Sequence, residues 1–449
     1  MTRVLLLTFL MLGSMAEAQI LPRVPLPTLP GGLPGTLPTG AGLPGLEQQT
    51  TGALSDDVWR LEHARKLGIR LLLRRHADVV EADPNGNPIV RGEVLAFSPT
   101  DAALAHARGA GFTLVRDRSL GPLGIRIVVL GIPHGTTTSR ALSLLRQLDP
   151  AGIYDFNDLY AASGASAAAE TTPAAHGSPR SGSAAAAPLG LVDGGVGTTQ
   201  AVFKGVVIHQ YGCGGRVLPS AHGTEVASLM VGRSARFGGA APGAALYAAD
   251  VYCDEPTGGA VDAIAAALAW LAGEQVPVIN VSLVGPPNGL LRQVVARLVA
   301  RGFLIVAAVG NDGPAAPPLY PAAYPGVVGV TAVDTGRQVI LEAERGPQVM
   351  FAAPGADIPA AGLADAFEQV RGTSFAAPLV AGLLAESLHS AVGGSDQQQP
   401  PGVDPAAAHA AISALAHEAI HLGAPGRNPV FGYGLVGADL PSPRPVSRE

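Results

Sequence analysis

The sequence predicts an α/β protein in which a larger three-layer domain with a mostly parallel sheet follows a small α+β domain. From Pro188 onward, short apolar runs alternate with segments of helical periodicity, which is typical of a parallel sheet covered by helices on both faces. Between residues 58 and 160, strands and helices follow the order βαββαβ of the ferredoxin-like motif. A chain of 449 residues has room for both domains.

The small domain is predicted to begin near Val58, where WRLEHARKLGIRLLL places apolar residues at helical spacing. Its later elements follow from alternating and helical patterns. Strands are predicted at 93–98, 113–120, 125–132 and 152–159, and helices at 100–112 and 137–148.

The larger domain, residues 188–440, is predicted from apolar runs with little polar alternation. Its strands are LGLVDGG, ALYAADVY, PVINVSL, FLIVAAVGN and VVGVTAVD. Its helices are HGTEVASLMVG, AVDAIAAALAWLAG, LLRQVVARLVARG and TSFAAPLVAGLLAESL. Sheets of this kind place functional groups beyond the carboxyl ends of their strands.

Two segments have the composition of linkers. Residues 19–57 are rich in Pro and Gly and have no periodic apolar face, so we expect a tether with polyproline II character. Residues 161–187 are an Ala/Ser/Gly run whose side chains are too small and polar to build a core. Exposed linkers are preferred sites of proteolysis, and we place a processing site in this second segment.

The first 18 residues have the features of a secretory signal peptide: Arg3, the apolar run from Val4 to Leu12, and the Ala16-Glu17-Ala18 cleavage site. The alternative, a membrane anchor, requires roughly 18 or more apolar residues. We therefore expect an exported protein, periplasmic or extracellular, without a membrane span in the mature chain. No cysteine follows the apolar run, which excludes a lipid anchor there.

The net charge limits the possible binding partners. A net charge of −6 without basic blocks argues against nucleic acid and against an anionic membrane surface.

After export, Cys213 and Cys253 would reach an oxidising compartment, where a disulfide closing this 40-residue loop would be worth at most ~4 kcal/mol. Two unpaired buried thiols are the alternative. Two cysteines without neighbouring histidines do not form a zinc site.

Three polar residues stand where a parallel sheet would expose them. Asp193 follows the strand LGLV, His222 opens a predicted helix, and Ser374 opens the helix in RGTSFAAPLVAG. Nucleophilic acyl transfer needs a hydroxyl, an imidazole that takes its proton, and a carboxylate that orients the imidazole. Asp, His and Ser in this chain order are one known solution. Taken alone, Ser374 is better explained as a helix cap, because serine caps are common.

An oxyanion needs donors, and the sequence offers two. The free N–H groups at the helix start beside Ser374 are one source. The side-chain amide of Asn311, in AAVGNDGP after a buried strand, is the other, with an ordinary Asn-Asp-Gly turn as the alternative.

Seven blocks in this order resemble the subtilisin-like serine peptidases, the subtilases: LVDGGV, HGTEVA, NVSLVGP, AAVGNDGP, YPAAYPGVVGVTAVD, FAAPG and GTSFAAP. The similarity runs from about Pro188 to Gly393, and GYGLVGA at 432–438 resembles the terminal segment of the family. The resemblance implies a three-layer subtilisin-like domain with Asp193 as orienting acid, His222 as general base and then acid, and Ser374 as nucleophile.

The resemblance also implies the remaining parts of a peptidase site. Asn311 would serve the oxyanion hole, and Ser282, Leu283 and Gly285 would line the cleft and pair with the substrate backbone as an added strand. Catalysis of this kind requires no cofactor. Family members often hold structural calcium, but no acidic loop in this sequence has convincing ligand spacing.

The sequence departs from the family pattern at three positions: Gly194 replaces the usual Ser or Thr, Glu225 stands where a second His is frequent, and Val284 replaces a cleft glycine. An alignment of KGVVIHQYG with the acid block would put His209 in the place of the aspartate. However, Asp193 lies 29 residues before His222 (222 − 193), similar to the family interval, while His209 lies only 13 before it (222 − 209). We therefore interpret His209 as structural or as a surface residue.

Subtilase propeptides have the βαββαβ architecture, so residues 58–160 are interpreted as a propeptide and inhibitor, with a retained accessory domain as the alternative. The predicted protein is a secreted serine endopeptidase, made as a zymogen, whose partners are protein or peptide substrates and its own propeptide. A subtilase-shaped binding or scaffolding protein without turnover is the rival. An esterase of another fold is disfavoured because a G-x-S-x-G elbow is missing.

Overall fold

The computed structural model describes residues 65–162, 165–167, 186–234, 237–364, 366–391 and 403–440. The predicted signal peptide, the Pro/Gly-rich segment 19–57 and most of the predicted linker 161–187 lie outside these ranges.

The N-terminal unit is an antiparallel sheet with helices on one face. Its strands pair in the order β1-β2-β4-β3, and β5 pairs with the other side of β2. The strands are β1 (Val80–Ala82), β2 (Pro88–Phe97), β3 (Thr113–Leu120), β4 (Ile125–Gly131) and β5 (Ile153–Asp158). The helices are α1 at residues 65–75, α2 (Asp101–Gly109) and α3 (Thr138–Leu148).

Strand alternation explains how this small sheet is covered on both faces. In β2, Val94 and Ala96 pack with Leu104 of α2 and Leu142 of α3, whereas Leu95 points to the opposite face. That opposite face packs against helices of the C-terminal unit, so the N-terminal unit buries one face internally and the other against the rest of the chain.

The C-terminal unit contains a sheet of seven parallel strands in the order β15-β14-β13-β11-β8-β10-β9. These are β8 (Leu189–Asp193), β9 (Ile208–Tyr211), β10 (Leu246–Asp250), β11 (Val278–Val281), β13 (Leu304–Ala308), β14 (Val328–Val333) and β15 (Val349–Pro354). Most of them are buried throughout, as their apolar runs predict.

Helices cover both faces of this sheet. On one face lie α4 (Ala221–Val231), α7 (Thr373–Ala391) and α8 (Pro405–Glu418). On the other lie α5 (Val261–Gly273) and α6 (Gly289–Ala300). The α/β prediction with a mostly parallel sheet is confirmed. Sequence analysis did not identify α8, which Asp404 caps by accepting from the N–H groups of Ala406 and Ala407.

Two small sheets complete the fold. The strand β12 (Leu283–Val284) pairs with β6 (Ala161–Ala162), and β16 (Ala356–Ala361) and β17 (Phe367–Arg371) form a sheet with β7 (Ala165–Ala167). The first residues of the predicted linker are therefore strands. Backbone hydrogen bonds to strands distant in sequence order them, and an alanine-rich composition does not reveal such pairing.

A disulfide joins Cys213, in a short turn after β9, to Cys253, just after β10. It ties the edge of the large sheet to the segment 251–260, which forms one side of the cleft described below. None of the helices in the described ranges is both long and apolar enough to cross a membrane.

Candidate active site

A hydrogen-bonded line of three side chains crosses the carboxyl edge of the large sheet. Asp193 ends β8, and its two oxygens lie 3.0 and 2.9 Å from Nδ1 of His222. Nε2 of the same imidazole lies 3.0 Å from Oγ of Ser374. Because an ionised carboxylate only accepts, Nδ1 carries the proton and Nε2 is left to accept the hydroxyl proton.

The position of His222 depends on close packing between the end of β8 and the start of α4. Ser220 caps α4 by accepting from the N–H of Gly223, which puts His222 in the first helical turn. A Cβ on Gly194 would lie 2.3 Å from the Ser220 hydroxyl, and one on Gly223 would lie 2.4 Å from the Gly194 carbonyl oxygen. The glycine after Asp193 therefore suits the tight contact between β8 and α4.

The start of α7 presents Ser374. Gly372 has a φ of 142°, in the region that favours glycine, and its N–H donates to the carbonyl of Gly355. Ser374 follows as the second residue of α7 and is fully buried. Its hydroxyl thus faces His222 from inside the first helical turn.

Two opposing effects set the basicity of His222. Burial by itself lowers the pKa of the imidazole, but the adjacent Asp193 carboxylate, through charge and hydrogen bond, and the charge of Glu225 outweigh burial and raise the pKa above its ordinary value. Since a general base must be neutral, this environment moves base catalysis to higher pH than an ordinary imidazole would require.

The loop after β13 lies against the start of α7. Oδ1 of Asn311 accepts from the N–H of Thr373 at 3.1 Å, and the N–H of Gly310 donates to the Thr373 hydroxyl at 3.3 Å. Because the donor to Oδ1 is an N–H, this bond also fixes which end of the Asn311 amide is the oxygen. The amide is thus held next to the residue that precedes Ser374.

The three cleft residues expected from the sequence have different surroundings. Ser282 is fully buried, and its hydroxyl donates to the carbonyl of Ser374 at 3.0 Å. Its side chain therefore contacts the first turn of α7. Leu283 lies in β12 and pairs with Ala162. Gly285 exchanges backbone hydrogen bonds with Tyr320.

Comparison with known proteins shows which family part of this chain resembles. Residues 217–434 match the model of the subtilase family. This part of the chain is similar to subtilase domains. The matched range includes His222, Asn311 and Ser374 but begins after Asp193, so the position of the acid rests on the geometry above.

Curated relatives resemble part of this chain. The minor extracellular protease Epr of Bacillus subtilis (strain 168) is 31% identical over 219 residues, which are 48% of this chain and 32% of that protein. A subtilisin of Bacillus pumilus is 34% identical over 172 residues, 37% of this chain and 62% of that protein. This chain therefore spans less than two thirds of the length of either relative.

The crystal structure of fervidolysin from Fervidobacterium pennivorans, described as a keratinolytic enzyme related to subtilisin, has the same fold. It matches with a TM-score of 0.63 and 19% identity, covering 80% of this chain and 62% of that one. The resemblance and the fold class inferred from the sequence are thus confirmed.

A segment from the N-terminal part of the chain lies against the residues expected to line the cleft. The N–H of Tyr160 donates to the Gly259 carbonyl at 2.9 Å, and its hydroxyl donates to the Pro286 carbonyl at 2.6 Å. Its ring lies over Gly285, where a Cβ would come within 2.6 Å of it. Only 2% of Tyr160 is exposed. The segment is therefore anchored between two edges of the subtilase domain.

The same segment pairs with two strands that adjoin the nucleophile. The strand β6 adds antiparallel to β12, and β7 adds antiparallel to β17, where Ala165 is opposite Arg371. The strand β17 leads through Gly372 into α7, and Ser282, just before β12, bonds to the Ser374 carbonyl, so both pairings lie near Ser374.

Sequence reasoning missed Tyr160 and the cleft edge at Gly259. One signal was available for Tyr160, which is the last large side chain before the Ala/Ser/Gly run. Gly259 lies after an ordinary turn sequence, and no sequence pattern indicated that it would contact another segment. His209, in contrast, lies exposed on the edge strand β9, stacked on Tyr247 at 4.5 Å.

Within the described residues, one group of potential metal ligands lies within coordination distance: Cys213, Asp250 and Cys253. Both sulfurs belong to the disulfide, and calcium prefers sets of six or more oxygen ligands. This group therefore does not fit a calcium site.

Proposed function

We propose that this chain is a serine endopeptidase that hydrolyses peptide bonds through an acyl-enzyme. The observation that carries this proposal is the line of hydrogen bonds from Asp193 through His222 to Ser374. Ser374 Oγ attacks the substrate carbonyl while its proton passes to Nε2 of His222. Collapse of the tetrahedral intermediate breaks the C–N bond, and the same proton goes to the leaving amine.

The second half of the reaction repeats these steps with water. His222 takes a proton from the water, which attacks the acyl carbon, and then returns the proton to Ser374 Oγ as the acid product leaves. In both halves the Asn311 amide and the N–H groups at the start of α7 donate to the oxyanion. The Asp193 carboxylate stabilises the imidazolium, and none of these steps uses a cofactor.

A fluorophosphonate probe tests this assignment on the mature protein. Ser374 Oγ attacks phosphorus, fluoride leaves, and the proton goes to His222, so the adduct should map to the Ser374 peptide. Because neutral His222 is required, the labelling rate should fall as pH falls through a pKa above 6.5. Asp193→Asn should slow labelling by ~10⁴-fold.

Peptide mapping and the dependence of the labelling rate on pH check these results. Asp357→Asn, at an exposed position of β16, is the matched control and should label like the wild type. Labelling of a different serine, or a rate independent of both Asp193 and pH, would contradict the assignment.

We further propose that the protein is an exported zymogen whose N-terminal unit is its own inhibitor. The pairing of β6 with β12 and of β7 with β17, both near Ser374, supports this, because an endopeptidase substrate must cross its nucleophile. The bond cut during maturation then lies between Ala162 and Ala165, and the mature chain begins at residue 163, 164 or 165. The disulfide and the signal-like first 18 residues support export.

Tyr160 is expected to set the rate of this maturation. Tyr160→Ala removes the buried ring and its hydroxyl bond to the Pro286 carbonyl, and should slow release of the N-terminal fragment at least about tenfold. Tyr160→Phe keeps the ring and loses one hydrogen bond worth ~1 kcal/mol, so it should slow release about fivefold. Mass spectrometry of a time course gives both rates and the new terminus.

Tyr211→Ala, on the more exposed edge strand β9, is the control and should mature like the wild type. Equal rates for Tyr160→Ala and this control would show that the anchored segment is not the maturation site. Circular dichroism of each uncut chain verifies that the variants are folded.

A further inference from the structure

One buried carboxyl group outside the triad contacts the loop that carries Asn311. Glu344, between β14 and β15, has no exposed surface. Its backbone N–H donates to the carbonyl of Gly310 at 3.1 Å, and its Oε2 accepts from the N–H of Leu319 at 3.1 Å. Gly310 and Leu319 are the two ends of the Asn311 loop, so a single residue joins both ends.

The contact with the start of the loop is tight. A Cβ on Gly310 would lie 2.5 Å from Oε1 of Glu344, so the carboxyl group packs against the backbone of the residue before Asn311. Within the described residues, Oε1 is buried and has no hydrogen-bond partner. An ionised carboxylate without full pairing is costly in such a place, whereas a protonated carboxyl group is tolerated.

We propose that Glu344 is a positioning residue that, in its un-ionised form, holds the Asn311 loop in the geometry required for oxyanion stabilisation. This inference rests on the proposed peptidase function and deepens it. Glu344 touches neither substrate nor nucleophile and acts through Gly310 and Leu319. Ionisation would place a second negative charge beside Asp312 and against the loop backbone, which would displace the donor.

The charged groups around Glu344 are consistent with an un-ionised state. Burial, and after it the Asp312 carboxylate, raise the pKa of Glu344, while the Leu319 N–H and the Arg65 guanidinium oppose the rise, and together these effects bring the pKa to about 9. Arg65, on α1, forms an ion pair with Asp312. The neighbouring Glu342 is paired with Arg371.

Loss of the N-terminal unit would remove Arg65, one of the two influences that lower the Glu344 pKa. We therefore expect Glu344 in the mature enzyme to stay protonated up to about pH 9. Above that pH, kcat should fall while KM changes little, because the loop stabilises the transition state and not the bound substrate.

The test compares Glu344→Gln, Glu344→Ala and the exposed control Glu274→Gln in mature enzyme, with kcat and KM measured from about pH 6 to about pH 11. Glutamine still accepts from Leu319 and cannot ionise in this range, so kcat should stay within about threefold of wild type at pH 8 and should keep its value at high pH. Alanine should lower kcat at least about tenfold at every pH, with KM within about twofold.

Thermal unfolding supplies a second measurement. The pKa of Glu344 is about 4.5 in the unfolded chain and about 9 in the folded protein. Between these two pH values the folded state holds a proton that the unfolded state has lost, so the wild-type protein becomes less stable as pH rises. The melting temperature of Glu344→Gln relative to wild type should therefore increase over this range.

The outcomes separate the two proposals. A wild-type alkaline limb that persists unchanged in Glu344→Gln overturns the positioning role, as does a change in KM without a change in kcat. Failure of Glu344→Ala to fold leaves the decision to the glutamine variant. Absence of serine-dependent turnover in the wild type itself instead refutes the peptidase proposal.

Discussion

Ser374→Ala is expected to remove turnover almost completely, with kcat falling on the order of 10⁶-fold, the size of the loss when a subtilisin loses its nucleophile. The hydroxyl is the atom that forms the acyl bond, and His222 has no proton to take without it. What remains is the effect of the oxyanion donors and of substrate binding. The variant chain should also stay uncut between Ala162 and Ala165.

Intact mass of the purified protein, with casein hydrolysis measured in parallel, checks both parts of this prediction. Ser390→Ala is a matched control, because Ser390 lies on the same helix, α7, with an exposed side chain. It should mature and cleave casein like the wild type. A Ser374→Ala chain that is still cut at the same position and rate, free of added protease, would contradict the proposed nucleophile.

A wild-type protein that neither cuts itself nor degrades casein would give a different result. The subtilase fold would then serve binding or scaffolding, in spite of its assembled triad. This outcome would leave the similarity to subtilases unchanged, because a fold does not determine an activity.

Asn311→Leu should lower kcat by ~10² to 10³ and leave KM nearly unchanged. Leucine has almost the same shape as asparagine but offers no N–H to the oxyanion. The negative charge develops only as the tetrahedral intermediate forms, so the loss falls on the transition state and not on the bound substrate. Steady-state kinetics with a short peptide amide on the mature enzyme measures the effect.

The same substitution also removes the bond from Thr373 to Oδ1, which helps hold the loop against α7. Circular dichroism and the fluorophosphonate adduct at Ser374 show whether the site survives. Gln338→Leu removes an exposed amide from a turn of the same domain and should change kcat less than about twofold. A rise in KM at constant kcat in Asn311→Leu would place Asn311 in substrate binding and exclude its proposed role.

Local patterns predicted much of the fold. The apolar runs of the parallel strands and the periodicity of the helices located five strands and four helices of the C-terminal unit, because these patterns depend on neighbours in sequence. The spacing of Asp193 and His222 was enough to choose that acid over His209. The contact of Ser282 with the Ser374 carbonyl and the position of α8 could not be predicted from such local patterns.

The amino-acid sequence by itself determined the α/β class and the subtilase resemblance, and it singled out Asp193, His222 and Ser374 as the candidate triad. Only the tertiary structure showed that Tyr160 is buried between Gly259 and Pro286, that β6 and β7 pair with strands near Ser374, and that Glu344 contacts both ends of the Asn311 loop. These features depend on backbone hydrogen bonds and on burial between residues far apart in the chain. No local pattern of side chains encodes such contacts. Periodicity and ordered motifs, in contrast, are local and can be recognised in the sequence without the structure.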